Sequence, residues 1–164
     1  MNISDVVIKK CIVISHDEFI SNMFEPPNKR IMDRFTKKVL YVAYRLFDGD
    51  LSNIDTYHTG VVLSTQTGPI RSIKKIAHII CDKDYRGINP SLFPNVMLST
   101  ALAHLTMYLD IHGPSCVFYD TNKDAPHALE YCIVQTKLGN CEGMIDIHVD
   151  ENGTSMGRYI LRKE

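Results

Sequence analysis

Apolar positions along this chain switch repeatedly between two periods. VVIKKCIVI (6–14) is short and β-branched, which suits a buried strand, and TGVVLST (59–65) reads as a second strand. Between them HDEFISNMFEPPNKR reads as a loop around Pro26 and Pro27. Asp33 then stands where it can cap a helix. Its apolar residues Phe35, Val39, Leu40, Val42, Ala43, Leu46 and Phe47 recur at helical spacing until Gly49 stops it. Ser72 opens a short amphipathic helix with Ile73, Ile76, Ala77 and Ile80 on one side. Pro90 and Pro94 interrupt the chain before a longer helix from Asn95 to Leu109, which turns Leu98, Ala101, Leu102, Leu105 and Leu109 toward a core. CVFYDT (116–121) is a third strand, and a helix runs from Asp124, with Pro126 in its first turn, to Gly139. GMIDIHV and GRYILRK close the chain as two strands about the hairpin signal Asn152-Gly153.

The order β-α-β-α-β-α-β-β predicts a single α/β domain over residues 1–164. Its mixed five-stranded sheet is expected to be largely parallel, with helices on both faces and an antiparallel last strand at one edge. With 164 residues, 45% of them apolar, the chain can bury a sizeable core.

Charge narrows the partners. The 18 basic and 19 acidic residues leave a formal charge of -1, so no overall field draws the protein to nucleic acid or to an anionic membrane, and neither is expected as a partner. The first ten residues lack the apolar core of a secretory signal, and no apolar run approaches the ~20 residues that span a bilayer. Five cysteines, odd in number and without a C-x-x-C pair, argue against a disulfide framework or a zinc knuckle and point to a reducing, cytoplasmic compartment.

Few residues offer chemistry. Asp146, His148 and Asp150 alternate on one face of a strand at a conceivable metal-ligand spacing. Because Ile145, Ile147 and Val149 read as the core face, a solvated polar face accounts for them without a metal. Cys116 could pair with His104 or His112 as thiol and base, but a cysteine in a strand also reads as a small buried hydrophobe. Gly60 and Gly68 lack the spacing and the Lys-Ser/Thr pair of a phosphate loop. The lysine pairs 9–10, 37–38 and 74–75 read as solvated faces.

MDRFTKKVLYVAYRLFDGDL, TGVVLSTQTG and FPNVMLSTALAHLTMYLDIHGPS together resemble the N-terminal half of β-ketoacyl synthases, members of the thiolase superfamily, over roughly residues 31–149. The resemblance implies a thiolase-like half-domain. In that family the strand after Gly-Pro-Ser leads to a catalytic cysteine at the start of a buried helix, whose dipole favours the thiolate. Counted from Gly113, with Ala128-Leu129 keeping the helix in register, that position is Asn122. Aligning Asp120-Thr121 with the family's Asp-Thr places Lys123 there instead. Neither residue can form an acyl thioester, the family's catalytic histidines lie in its second half, and Ser64 replaces a glycine usual in the second strand.

The resemblance thus implies a scaffold without catalytic residues, cofactor or metal. Chain-length factors, which also lack the cysteine, are similar in this respect and pair with a ketosynthase. The strand Ser115, Cys116, Val117, Phe118, Tyr119, Asp120 and Thr121 is then expected to pair antiparallel across a two-fold axis. The implied partners are a second copy or a ketosynthase, with an acyl carrier protein as a further one, in polyketide or fatty-acid assembly. The helix APHALEYCIVQTKL has apolar flanks on two sides and so calls for cover beyond a single sheet. Two alternatives stay open: a small module holding an acyl chain non-covalently in a cleft beside Asn122, and a thiol enzyme built on Cys116.

Overall fold

A computed structural model describes residues 5–21, 24–83, 88–122 and 124–163. The elements run β1 (Val6–Ile14), α1 (His16–Ser21), α2 (Arg34–Phe47), β2 (Thr59–Thr65), α3 (Ile70–Lys83), a 3-10 segment (Pro90–Val96), α4 (Leu98–Leu109), β3 (Ser115–Tyr119), α5 (Pro126–Lys137), β4 (Gly143–Val149) and β5 (Ser155–Arg162). The sheet order is β1-β5-β4-β2-β3, with β2 parallel to both β3 and β4, and β5 antiparallel to β4 and β1. The expected α/β class and mixed five-stranded sheet are therefore present.

Two placements differ from the expectation. The last strand is internal rather than at an edge, because the tight turn after β4 folds β5 onto β4, and β1 adds to the side of β5 left free. The edge falls to β1, expected to be buried, which leaves Val7, Ile8 and Val13 exposed. β-branched composition reports a strand but not its place in the sheet.

Helices cover both faces. α2 and α4 pack Phe35, Leu40, Leu46, Leu105 and Leu109 against Val61, Leu63, Ile145 and Ile147, while α5 lays Ala128 and Cys132 on Val62, Met144 and Ile160 of the other face. Each fully buried aliphatic side chain contributes roughly 1.5–3 kcal/mol through removal from water. α2 starts as expected: Asp33 is its N-cap, and its carboxylate accepts from the Thr36 N–H at 2.8 Å. Residues 16–21, expected as loop, are helical because Ser15 Oγ accepts from the Glu18 N–H at 3.1 Å; Ser15-His-Asp-Glu18 is half of a capping box. Pro94 sits inside the 3-10 segment, which delays the next helix to Leu98 rather than Asn95.

The turn into β3 depends on one close approach. A Cβ added to Gly113 would lie 2.3 Å from the Thr59 carbonyl oxygen, so only glycine lets the chain enter β3 beside the start of β2.

Candidate functional site

β3 lies at the sheet edge opposite β1, paired on one side only. The Asp120 N–H donates inward to Thr65 O at 2.9 Å and Pro114 O accepts inward from Val61 N–H at 2.9 Å, so the N–H and C=O groups of Val117 and Tyr119 point outward along the free edge. Tyr119 is 67% exposed, while Phe118 turns to the α5 face and meets Tyr131 at 5.3 Å between ring centroids.

The chain after β3 does not run straight into a helix. Asn122 is exposed, and its side-chain oxygen accepts from the Asp124 N–H at 3.1 Å, a local turn. α5 begins only at Pro126, after Ala125, which is buried with φ 44 and ψ 59 in the left-handed region. Asn122 therefore does not cap α5. The cap is supplied by the residue that follows β3: the buried Asp120 carboxylate accepts from the Asn122 N–H at 3.3 Å and the His127 N–H at 3.0 Å, with the His127 ring 3.3 Å away. Burial alone would raise the Asp120 pKa, but these donors outweigh it and hold the group below the usual carboxylate range. Lys123, the alternative match to the nucleophile position, lies outside the described residues.

The unusual backbone at Ala125 is held from the sheet. Arg158 on β5 stands opposite Asp146 on β4, and its Nε donates to Asp146 Oδ2 at 2.7 Å. The rest of its guanidinium donates to Asp124 O at 3.0 Å and Ala125 O at 3.3 Å. The pair is buried; burial raises the Asp146 pKa to about 6 against the opposing pull of Arg158. The expected solvated face is thus a buried one. Asp146 and His148 are 1% and 2% exposed because the start of α5 covers that side of the sheet.

A cleft of about 520 Å³ opens beside this junction, at the carboxyl ends of β2 and β4, lined by Val13, Gln66, Asp124, His148, Ser155 and Met156 among others. His148 Nδ1 is 2.9 Å from the buried Ser64 Oγ, and its Nε2 is 3.7 Å from Asp150 Oδ2. Burial opposes ionisation of Asp150, but the His148 ring and the N–H of Gln66 hold its pKa below the usual value. Behind the hairpin the fully buried Lys38 donates to Asp150 O at 2.7 Å and Gly153 O at 2.6 Å; burial lowers its pKa to about 8. Ser64, His148 and Asp150 have the residue types of a hydrolytic triad, but Ser64 is buried behind His148 and is not among the residues that line the cleft, so its hydroxyl is not presented to a substrate carbonyl there.

Among the described residues no group of three or more His, Cys, Asp or Glu side chains could hold a metal ion. Cys116 is half-buried, with Sγ 3.8 Å from Val117 O; His112 is turned to Asp110 and stacks on Tyr57, so sequence proximity to the thiol has no counterpart in hydrogen bonding. The roles of Asp120 as a remote cap and of Arg158 as a clamp were missed from sequence, although Asp146 and Arg158 facing each other across a hairpin about Asn152-Gly153 was a usable signal.

No protein-family model matches the chain. A superposition on the ishigamide ketosynthase/chain length factor gives a TM-score of 0.78 at 15% identity, covering 97% of this chain. The fold is that of the ketosynthases. A type II PKS ketosynthase, in complex with its acyl-carrier protein and bound to the hexaketide, superposes at 0.77 with 12% identity, again over 97% of this chain. A ketosynthase in complex with its chain length factor from Xenorhabdus doucetiae gives 0.69 at 8% identity, with 97% of this chain and 79% of that chain covered. In sequence, 87 residues, 53% of this chain, are 24% identical to the mitochondrial 3-oxoacyl-(acyl-carrier-protein) synthase of Arabidopsis thaliana. The chain spans 62% and 63% of the first two ketosynthase-fold structures and 19% of the Arabidopsis enzyme. Among the described residues no single helix is long and apolar enough to cross a membrane.

Proposed function

We propose that this chain is a non-catalytic ketosynthase-like subunit that pairs, through the free edge of β3, with a second copy or with a ketosynthase in polyketide or fatty-acid assembly. The observation that carries the reading is the combination of an open β3 edge with an exposed, turn-forming Asn122 at the position that the resemblance assigns to a nucleophile. An asparagine amide supplies no thiolate. An unpaired strand supplies a row of backbone donors and acceptors for another strand. Leu138 at the C-cap of α5, 69% exposed, with Leu129 and Ile133 of the helix only half-buried, leaves an apolar flank that a partner would cover. The solved ketosynthase structures with a chain length factor or an acyl-carrier protein indicate which partners to try first.

Sedimentation velocity at micromolar concentration tests the reading, alone and after co-expression with a ketosynthase. Tyr119→Pro removes one outward N–H without touching the β2 ladder, so it is expected to dissolve the pair while leaving the far-UV circular dichroism unchanged. A monomer that also fails to capture a ketosynthase or carrier protein would sink the proposal, and so would a dimer indifferent to the proline.

A further inference from the structure

The cleft at the carboxyl ends of β2 and β4 holds two buried polar groups with nothing to bond. His148 Nε2 and Ser155 Oγ have no hydrogen-bond partner, although His148 is 2% and Ser155 0% exposed, and both residues line the cleft. Leaving such groups unpaired costs about 1–3 kcal/mol each, so the arrangement is explained by something that arrives to pair them. Crevices outside the carboxyl ends of parallel strands are where open α/β sheets bind ligands.

The ring's other nitrogen fixes the polarity. Ser64 is fully buried and its one hydrogen bond among the described residues is to His148 Nδ1, so satisfying its hydroxyl requires Ser64 to donate and Nδ1 to accept. Nε2 then carries the proton and faces the cleft as a donor. Asp150 Oδ2, 3.7 Å away, lies beyond hydrogen-bond distance of that proton, while the Gln66 N–H holds the other carboxylate oxygen, Oδ1, at 2.9 Å. Among the described residues the lining includes Asp124 and Asp150 but no lysine or arginine, and the His148 imidazole is its one ring, which disfavours anions; Val13 and Met156 add apolar wall.

We propose that this cleft binds a small uncharged amide, its carbonyl oxygen accepting from His148 Nε2, its N–H groups directed to Ser155 Oγ and the neighbouring oxygens, and its alkyl part on Val13 and Met156. The site stands independently of whether β3 pairs with a partner.

Butyramide and butyrate, equal in shape and different in charge, test it by titration of the 15N-labelled full chain. Butyramide is expected to shift the amides of Gln66, Thr67 and residues 152–155 saturably, with a Kd on the order of a millimolar for so few atoms. Butyrate should bind at least about tenfold more weakly. Ser155→Ala should weaken butyramide roughly three- to tenfold, and His148→Phe at least as much. If the phenylalanine variant does not fold, the alanine variant and the amide–acid pair decide. Unsaturable shifts, equal binding of butyrate, or wild-type affinity in Ser155→Ala would each overturn the proposal.

Discussion

Arg158→Met removes a guanidinium that does three things at once: it neutralises the buried Asp146 and donates to the carbonyls of Asp124 and Ala125. Breaking one side of a buried ion pair costs about 3–5 kcal/mol, because the remaining carboxylate is left charged and dry. The two carbonyl bonds, one part-buried and one buried, add about 1 kcal/mol together. A total of roughly 4–6 kcal/mol is a large share of the ~5–15 kcal/mol expected for a domain. Without Arg158 the pull that lowers the Asp146 pKa is gone, so the value climbs above its present level of about 6. The sign follows from a folded pKa raised above the unfolded 3.8: stability is present below the unfolded value and is lost as pH rises through the folded one. Urea unfolding followed by far-UV circular dichroism, the chain having no tryptophan, should therefore show a larger loss at pH 8 than at pH 5. Adding Asp146→Leu should restore most of the loss, since no charge is then buried alone. A loss under about 1 kcal/mol, a loss independent of pH, or a double variant no better than the single one would refute the account.

Lys38→Met probes the other buried charge. With a folded pKa near 8 against 10.5 unfolded, the unfolded chain holds more protons between those values, so wild-type stability should gain on the variant as pH rises through that window; a constant difference would contradict it. Iodoacetamide under native conditions should modify the exposed Cys11 and Cys81 first, Cys116 more slowly, and spare the buried Cys132 and Cys141, whose thiol pKa values burial raises; peptide mass spectrometry reads the order, and Cys116 reacting first would favour a thiol enzyme. Asn122→Cys should label more slowly than a free thiol, because the Asp120 carboxylate stands beside it, and should not accept an acyl group from a thioester, which intact-mass measurement checks.

The elements that sequence placed best are those whose signals are local. TGVVLST and GMIDIHV coincide with β2 and β4, and the helix capped by Asp33 ends where Gly49 takes φ 77. Positions that depend on distant contacts were less legible. Whether VVIKKCIVI is central or at an edge depends on where β5 goes, and whether Asp146 and His148 meet water depends on the start of α5 crossing over them. Alternation alone reads as one wet face, and an internal ion pair between Asp146 and Arg158 satisfies the same pattern. The site fared similarly: the turn after β3 was legible in Asn122, but the cap of α5 came from Asp120, two residues earlier and just past the end of the strand.

That cap bears on the chemistry of the whole junction. A helix start activates a cysteine when its unpaired N–H groups and positive end of the dipole face the sulfur and nothing else answers them. Here a full negative charge already answers them. Asp120 is buried against the first turn of α5, accepts the His127 N–H, and is kept ionised by that turn and by the Asn122 N–H. Any thiolate formed at residue 122 would stand next to a carboxylate, four residues short of the first helical residue, with the intervening chain coiled into a turn and clamped by Arg158. Coulomb repulsion at that separation raises a thiol pKa instead of lowering it. The junction is therefore built around a stable anion of its own, and restoring a nucleophile would require moving Asp120 and rewinding the turn as well as exchanging the side chain.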